Sequence, residues 1–287
     1  MVVEFVAGFL SGSLALVADA GHMLTDVGAL GLSLFTAMLA RRPPDLKRTY
    51  GYLRWEILAA LINGATLFGL SAWVVVEAIG RISEPRPIDT GVFLAVAAAG
   101  LLANVVSLAV LHGMQHHSLN VRGAYLHILG DIMGSVAALA AAVIVSTTGW
   151  TVADPIVSIL LSLLILFSAW RLLKESTAVL LEAVPGHLSL EDVRDRMLEV
   201  PGVLAVHDLH VWTVTSGVIA MSGHAVVPEL AAHPGALAGL RQALTRMGIG
   251  HATIQLEVAD ECEGDCLEPL TPLEAGHGHR HRAGHRH

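Results

Sequence analysis

The sequence predicts a polytopic α-helical membrane domain followed by a small α+β domain. Three observations carry that expectation. The 287 residues are 54% hydrophobic and only 15% charged, whereas soluble domains are about 25% charged. Five apolar stretches, at 14–40, 56–80, 91–113, 123–148 and 152–173, are each long enough to cross a bilayer, which takes ~20 residues. From about residue 175 the pattern changes to short helical and alternating segments.

The elements follow in order. Residues 1–11 are apolar but short. At 1.5 Å per residue they cover roughly 16 Å of a ~30 Å hydrocarbon core, and they read as the second half of a helix whose beginning is missing. Gly12, between Ser11 and Ser13, breaks this piece from the first full span. The loop at 41–54 carries Arg41, Arg42, Lys47, Arg48 and Arg54 against Asp45, while the connection at 149–151 has no basic residue. By the positive-inside rule the 41–54 loop is cytoplasmic. Arg171 and Lys174 after the last span place the C-terminal part on the same side. The opening MVVEFVAGFL lacks a basic n-region and a cleavage motif, so no signal peptide is expected. A bacterial inner membrane fits that and the high Ala, Gly and Arg usage.

Beyond 175, Ser189 caps a helix expected over 190–200. Residues 203–214 and 218–227 read as strands joined at Ser216-Gly217, 234–247 as a helix opening at Pro234, and 252–258 as a third strand. The expected divisions are a membrane domain at 1–174, an α-β-β-α-β domain at 175–259 and an acidic, Cys/His-rich tail at 260–287. About 85 residues make a marginal core, so the small domain is expected to dimerise. The net charge is −8 with the 16 His neutral. No basic run suggests nucleic acid as a partner.

One pattern occurs twice inside the apolar spans: His22-x-x-x-Asp26 and His127-x-x-x-Asp131. Residues four apart share a helix face, so each pair aims an imidazole and a carboxylate at one spot. Ionisable groups in hydrocarbon are costly and mark ion sites or pathways. Two such helices face to face supply two nitrogens and two oxygens, a tetrahedral set suited to Zn²⁺. The structural alternative is two hydrogen-bonded His–Asp pairs that clamp helices or relay protons. Asp19, Asn104, Asp154 and Glu4 are further polar residues in the spans. Asp19 suits an access path or ligand orientation, and Asp154, ahead of Pro155, a cap or hinge. An intramembrane metalloenzyme would keep an open metal position, whereas the tetrad fills four. No organic cofactor is expected.

Cys262 and Cys266 are the two cysteines, among acids and ahead of His277, His279, His281, His285 and His287. They make no disulfide framework and suit a soft-metal site instead.

The stretches ADAGHMLTDVGAL (18–30), RRPPDLKRTYGYLRWEILAALING (41–64), SLNVRGAYLHILGDIMGS (118–135) and VHDLHVWTVTSG (206–217) resemble the cation diffusion facilitator family of zinc transporters. The likeness runs to about residue 258. It implies six membrane helices, here with the first one partial, cytoplasmic termini, a ferredoxin-like cytoplasmic domain and a homodimer exchanging Zn²⁺ for H⁺. On the matching positions the transport ligands are His22, Asp26, His127 and Asp131. The resemblance also implies zinc at His207, His224 and His251, with Glu257 as a weaker candidate. Strand alternation by itself sets His207 and Asp208 on opposite faces, with His210 beside Asp208. The 41–54 loop has no His, so the accessory loop site of some members is expected to be absent. The competing reading is a membrane zinc sensor or scaffold that binds without transporting.

Overall fold

The computed structural model describes residues 2–112 and 119–258. Six helices precede the small domain: α1 (Val2–Ser11), α2 (Leu14–Ala40), α3 (Trp55–Ser83), α4 (Thr90–His112), α5 (Leu119–Thr148) and α6 (Ala153–Leu180). Five of them, α2 to α6, are long and apolar enough to cross a membrane.

Local chemistry sets the boundaries. Gly12 takes φ +75° and ends α1, a conformation cheap only for glycine. Ser13 then caps α2, its hydroxyl accepting from Leu16 N at 3.3 Å. Pro43 and Pro44 follow the end of α2 and cannot continue a helix. In the loop beyond, Asp45 Oδ1 accepts from the Lys47 and Arg48 amides at 2.8 and 2.7 Å. Those backbone hydrogen bonds hold its carboxyl below the usual range. Asp89 Oδ1 takes the Gly91 and Val92 amides at 3.1 Å and starts α4. Gly149, at φ +72°, closes α5.

The helices meet through small residues. Phe93 of α4 is fully buried among Ala15, Leu16, Ala97, Ala138, Ala141 and Ala142. Lipid gives no hydrophobic drive between helices, so close packing of small side chains holds them together. α3 runs along α6 and α4 along α5, while α2 touches α1, α3, α5 and α6. That central place lets α2 carry a site facing α5.

The chain divides into two compact units between Leu180 and Leu181. α6 continues to Leu180, six residues past the division expected at 174. The second unit contains α7 (Leu190–Leu198), β1 (Ala205–Thr215), β2 (Val218–Val227), a 3₁₀ turn, α8 (His233–Arg246) and β3 (Ile249–Val258). The sheet order is β1-β2-β3, with β1–β2 antiparallel and β2–β3 parallel. A parallel pair needs a crossover, and α8 supplies it. Ser189 caps α7 by accepting from Glu191 and Asp192 amides. Val193, Met197, Val211, Met221, Leu240, Leu244 and Ile249 form the core between helices and sheet.

Candidate metal centres

α2 and α5 bring the two His–Asp pairs together. His22 Nε2 lies 3.5 Å from Asp26 Oδ2 and 4.0 Å from Asp131 Oδ1. His127 Nε2 lies 3.1 Å from Asp26 Oδ2 and 3.8 Å from Asp131 Oδ2. Each imidazole therefore faces the carboxylate of its own helix and that of the other. Ligands at ~2.0–2.1 Å in a tetrahedron stand about 3.3 Å apart, and the observed separations bracket that spacing. The imidazoles meet edge to face, centroids 6.0 Å apart. Asp131 is the most enclosed of the four side chains, 12% exposed, and His127 the least, 50% exposed.

A cavity of about 590 Å³ adjoins the tetrad. His22, His127, Asp131 and Asp19 line one part of it, with Leu160, Leu164 and Ile165 of α6 among the apolar walls. Asp19 Oδ2 accepts from Ser135 at 3.5 Å, and Ser135 accepts from Asn104 Nδ2 at 3.0 Å. Asp19 and Asn104 thus join one polar chain across α2, α5 and α4. Glu4 is buried, and Gly100 of α4 leaves room for its carboxylate.

Asp154 does something that local sequence does not reveal. It is fully buried at the start of α6, yet it caps α2. Its carboxylate accepts from Ser13 Oγ at 2.6 Å, Leu14 N at 2.8 Å and Ala15 N at 3.2 Å. An acid satisfies the orphan amides at a helix start and complements the dipole there. The signal in the sequence is an acid in an apolar span; its partner 140 residues away is not readable.

The second cluster lies on the sheet face turned away from α7 and α8. His207 of β1 pairs with His224 of β2, their ring centroids 5.0 Å apart. Glu257 of β3 completes the group: Oε2 lies 3.1 Å from His207 Nε2, and Oε1 lies 2.6 Å from His224 Nδ1. One ligand atom from each lies within 4.8 Å of the others. Burial pushes the Glu257 carboxyl up, but hydrogen bonds from His207 and His224 and their charge outweigh it. Its pKa ends below the usual range.

Simple alternation fails at β1. A bulge falls between His207 and His210, with Asp208 at φ +49°. Two residues there oppose one on the partner strand, and His210 pairs with Ser222. His207 and His210 therefore share the open face. Asp208, expected opposite His207, reaches the same cluster: Oδ1 is 2.9 Å from His210 Nε2, and Oδ2 is 3.8 Å from His224 Nε2. Leu209 turns to the core and sits over Gly223, where an added Cβ would come within 3.1 Å of its Cδ1. His251 pairs with Ala220, four residues along β3 from the Gln255 that pairs with His224. At ~3.3 Å per residue that is about 13 Å, so His251 stands apart from the triad. Cys262, Cys266 and the tail histidines lie outside the described residues.

Two family models match the chain in succession. Residues 1–181 match the cation efflux transmembrane domain, and residues 185–259 match the cytoplasmic domain of cation efflux proteins. The zinc transporter ZitB of Escherichia coli is 48% identical over 98% of this chain and 90% of its own length. The metal cation efflux system protein CzcD of Cupriavidus metallidurans is 44% identical, covering 92% and 84%. A cadmium, cobalt and zinc/H⁺-K⁺ antiporter of Bacillus subtilis is 37% identical, covering 98% and 92%. A solved structure, the metal-bound C-terminal domain of the CzcD transporter, is 37% identical over 24% of this chain and 99% of its own, with a TM-score of 0.23.

Proposed function

The chain belongs to the cation diffusion facilitator family of cation efflux proteins, and from that premise we propose that it is a secondary transporter exporting Zn²⁺ from the cytoplasm in exchange for protons. The observation that carries the reading is the tetrad. Two His–Asp pairs from α2 and α5 converge with N···O separations of 3.1–4.0 Å inside an apolar bundle. Four ionisable groups within membrane-spanning helices are costly as packing and cheap as a cation site.

The ligand chemistry couples the two fluxes. Zn²⁺ needs neutral imidazoles and ionised carboxylates, so binding displaces protons and protonation expels metal. Imidazole titrates near neutral pH, within reach of a transmembrane proton gradient. Rocking of helices around the site, as in other secondary transporters, turns it from one side to the other. Imidazole with carboxylate suits Zn²⁺, and Cd²⁺ and Co²⁺ are secondary substrates by the same chemistry. The tetrad fills all four positions and leaves no place for an activated water, which supports a transporter over an enzyme.

His207, His224 and Glu257 form the resident zinc site of the cytoplasmic domain. The protein works as a homodimer in a bacterial inner membrane, with that domain in the cytoplasm. The excess of basic residues in the 41–54 loop supports this orientation.

The test is zinc flux into proteoliposomes under a pH gradient, comparing the natural chain with Asp26→Ala/Asp131→Ala. Gradient-driven uptake that vanishes in the double variant is the expected result. Zinc bound at the tetrad without flux in the natural chain would overturn transport and leave a sensor or scaffold.

A further inference from the structure

The tetrad histidines present Nε2 to the carboxylates, which leaves the other nitrogen of each ring to be accounted for. A metal-ligating imidazole ordinarily donates its second N–H to a fixed acceptor, which sets the tautomer and the ring plane. His22 Nδ1 is enclosed by protein and, among the described residues, has no hydrogen-bond partner. Besides the cavity, His22 lines a narrow gap where α2, α3 and α6 meet. Ala18, Leu67, Leu70, Val74 and Ile165 make the apolar lining of that gap, and Ser71 and Ser162 are its hydroxyl-bearing side chains.

Ser162 stands out within α6. Serines inside helices usually donate back to the carbonyl one turn earlier, as Ser158 does to Asp154 O at 2.7 Å. Ser162, one turn further on, is fully buried, and its Oγ has no partner among the described residues. The two residues that carry these orphaned polar atoms thus border the same gap. The gap is too narrow to admit a water molecule, so no solvent bridge relieves either of them. Leaving both unpaired is costly, whereas a serine hydroxyl has a single soft torsion to turn toward the ring.

We propose that Ser162 is a positioning residue for His22, its hydroxyl oxygen accepting the Nδ1–H and so holding the tautomer that presents an Nε2 lone pair to the transported cation. The inference rests on His22 being a transport ligand. Neutral imidazole has two tautomers. In the one with hydrogen on Nε2, that N–H donates to Asp26 or Asp131 and blocks the metal. A buried acceptor at Nδ1 selects the other. The interaction lies on the opposite side of the ring from the metal, so Ser162 touches no substrate.

The experiment uses the full-length protein in proteoliposomes and measures half-saturating zinc and maximal flux at a fixed pH gradient. Ser162→Ala and Ser162→Val are expected to raise half-saturating zinc about 10–100-fold, the usual loss when a partner of a metal-bound imidazole is removed. Maximal flux should change far less than half-saturation. Ser162→Thr keeps the hydroxyl and should remain near the natural value. Thr and Val have nearly the same shape, so equal shifts in those two variants mean packing and overturn the proposal, as does an unchanged half-saturation in Ser162→Ala. His22→Ala separates the two levels of the argument. If it leaves half-saturating zinc unchanged, the tetrad reading itself fails. If His22→Ala weakens zinc and the Ser162 variants do not, the failure belongs to Ser162 alone.

Discussion

The intramembrane tetrad and the cytoplasmic triad use the same two ligand types on opposite kinds of scaffold. In the tetrad, each His–Asp pair belongs to one helix, and the two helices are separate rods joined by packing. In the triad, His207, His224 and Glu257 come from three strands hydrogen-bonded into one sheet. Helices can tilt without breaking an internal hydrogen bond, whereas strands cannot separate without breaking the ladder between them. On the proposed function, the tetrad is therefore the site suited to being taken apart and rebuilt in every cycle, and the triad is not. A site that must release its ion belongs on the first scaffold, and a site that keeps its ion belongs on the second.

That contrast is open to experiment, beginning with the largest expected effect. Asp26 is the carboxylate nearest both imidazoles, 3.1 and 3.5 Å from them. Asp26→Asn should lower zinc flux by more than about 100-fold, beyond the range typical of outer partners. Glu257→Gln should leave maximal flux within a few-fold of natural. Equal losses in the two variants would erase the distinction between moving and resident sites.

Zinc should next stabilise the C-terminal unit from Leu181 onward. At a hundred times its dissociation constant, a ligand adds ~2.7 kcal/mol, which raises the midpoint of so small a domain by on the order of 10 °C. Calorimetry with and without zinc measures this, and Glu257→Gln should abolish the shift. An unchanged midpoint in the natural domain would remove the resident site. A smaller effect is expected from Gly223→Ala, which crowds Leu209 at the β1 bulge. It should cost about 1–2 kcal/mol and loosen zinc at the triad while sparing flux.

The smallest effect concerns acid. Glu257 is held below the ordinary carboxylate range, so its contribution to stability is present above the unfolded value, ~4.3. It disappears as pH falls through the depressed folded value. The zinc-free natural domain should therefore be more stable than Glu257→Gln near neutrality, and the gap should close below about pH 4.3. Thermal melts across pH 3 to 7 check the sign; a gap that widens in acid would contradict the ion-pair assignment.

The two sites also differ in how far sequence exposes them. A helix repeats every ~3.6 residues wherever it runs, so His22/Asp26 and His127/Asp131 are readable from spacing alone, as are the spans that carry them. The triad depends on strand register, and the acid beside it on a bulge. Asp208 reaches the His224 side because it lies in the bulge itself, at φ +49°, and no local composition announces that bulge. Glu257 looks like an ordinary strand acid until β3 pairs with β2 and brings it beside two imidazoles. His251 follows the same alternation onto the same face, but distance along the strand separates it. Non-local geometry also hides the Asp154 cap and the gap shared by His22 and Ser162.

The Asp154 cap has a mechanical consequence. It pins the first turn of α2 to α6, so α2 behaves as a lever with its fulcrum at Leu14. His22 and Asp26 sit about 12 and 18 Å along that arm at 1.5 Å per residue. A 10° swing would carry them ~2 and ~3 Å respectively on those arm lengths. The far carboxylate travels half as far again as the near imidazole. On the proposed transport function, such a swing would draw Asp26, which lies near both imidazoles, away first and leave His22 as the last contact α2 keeps with the departing ion.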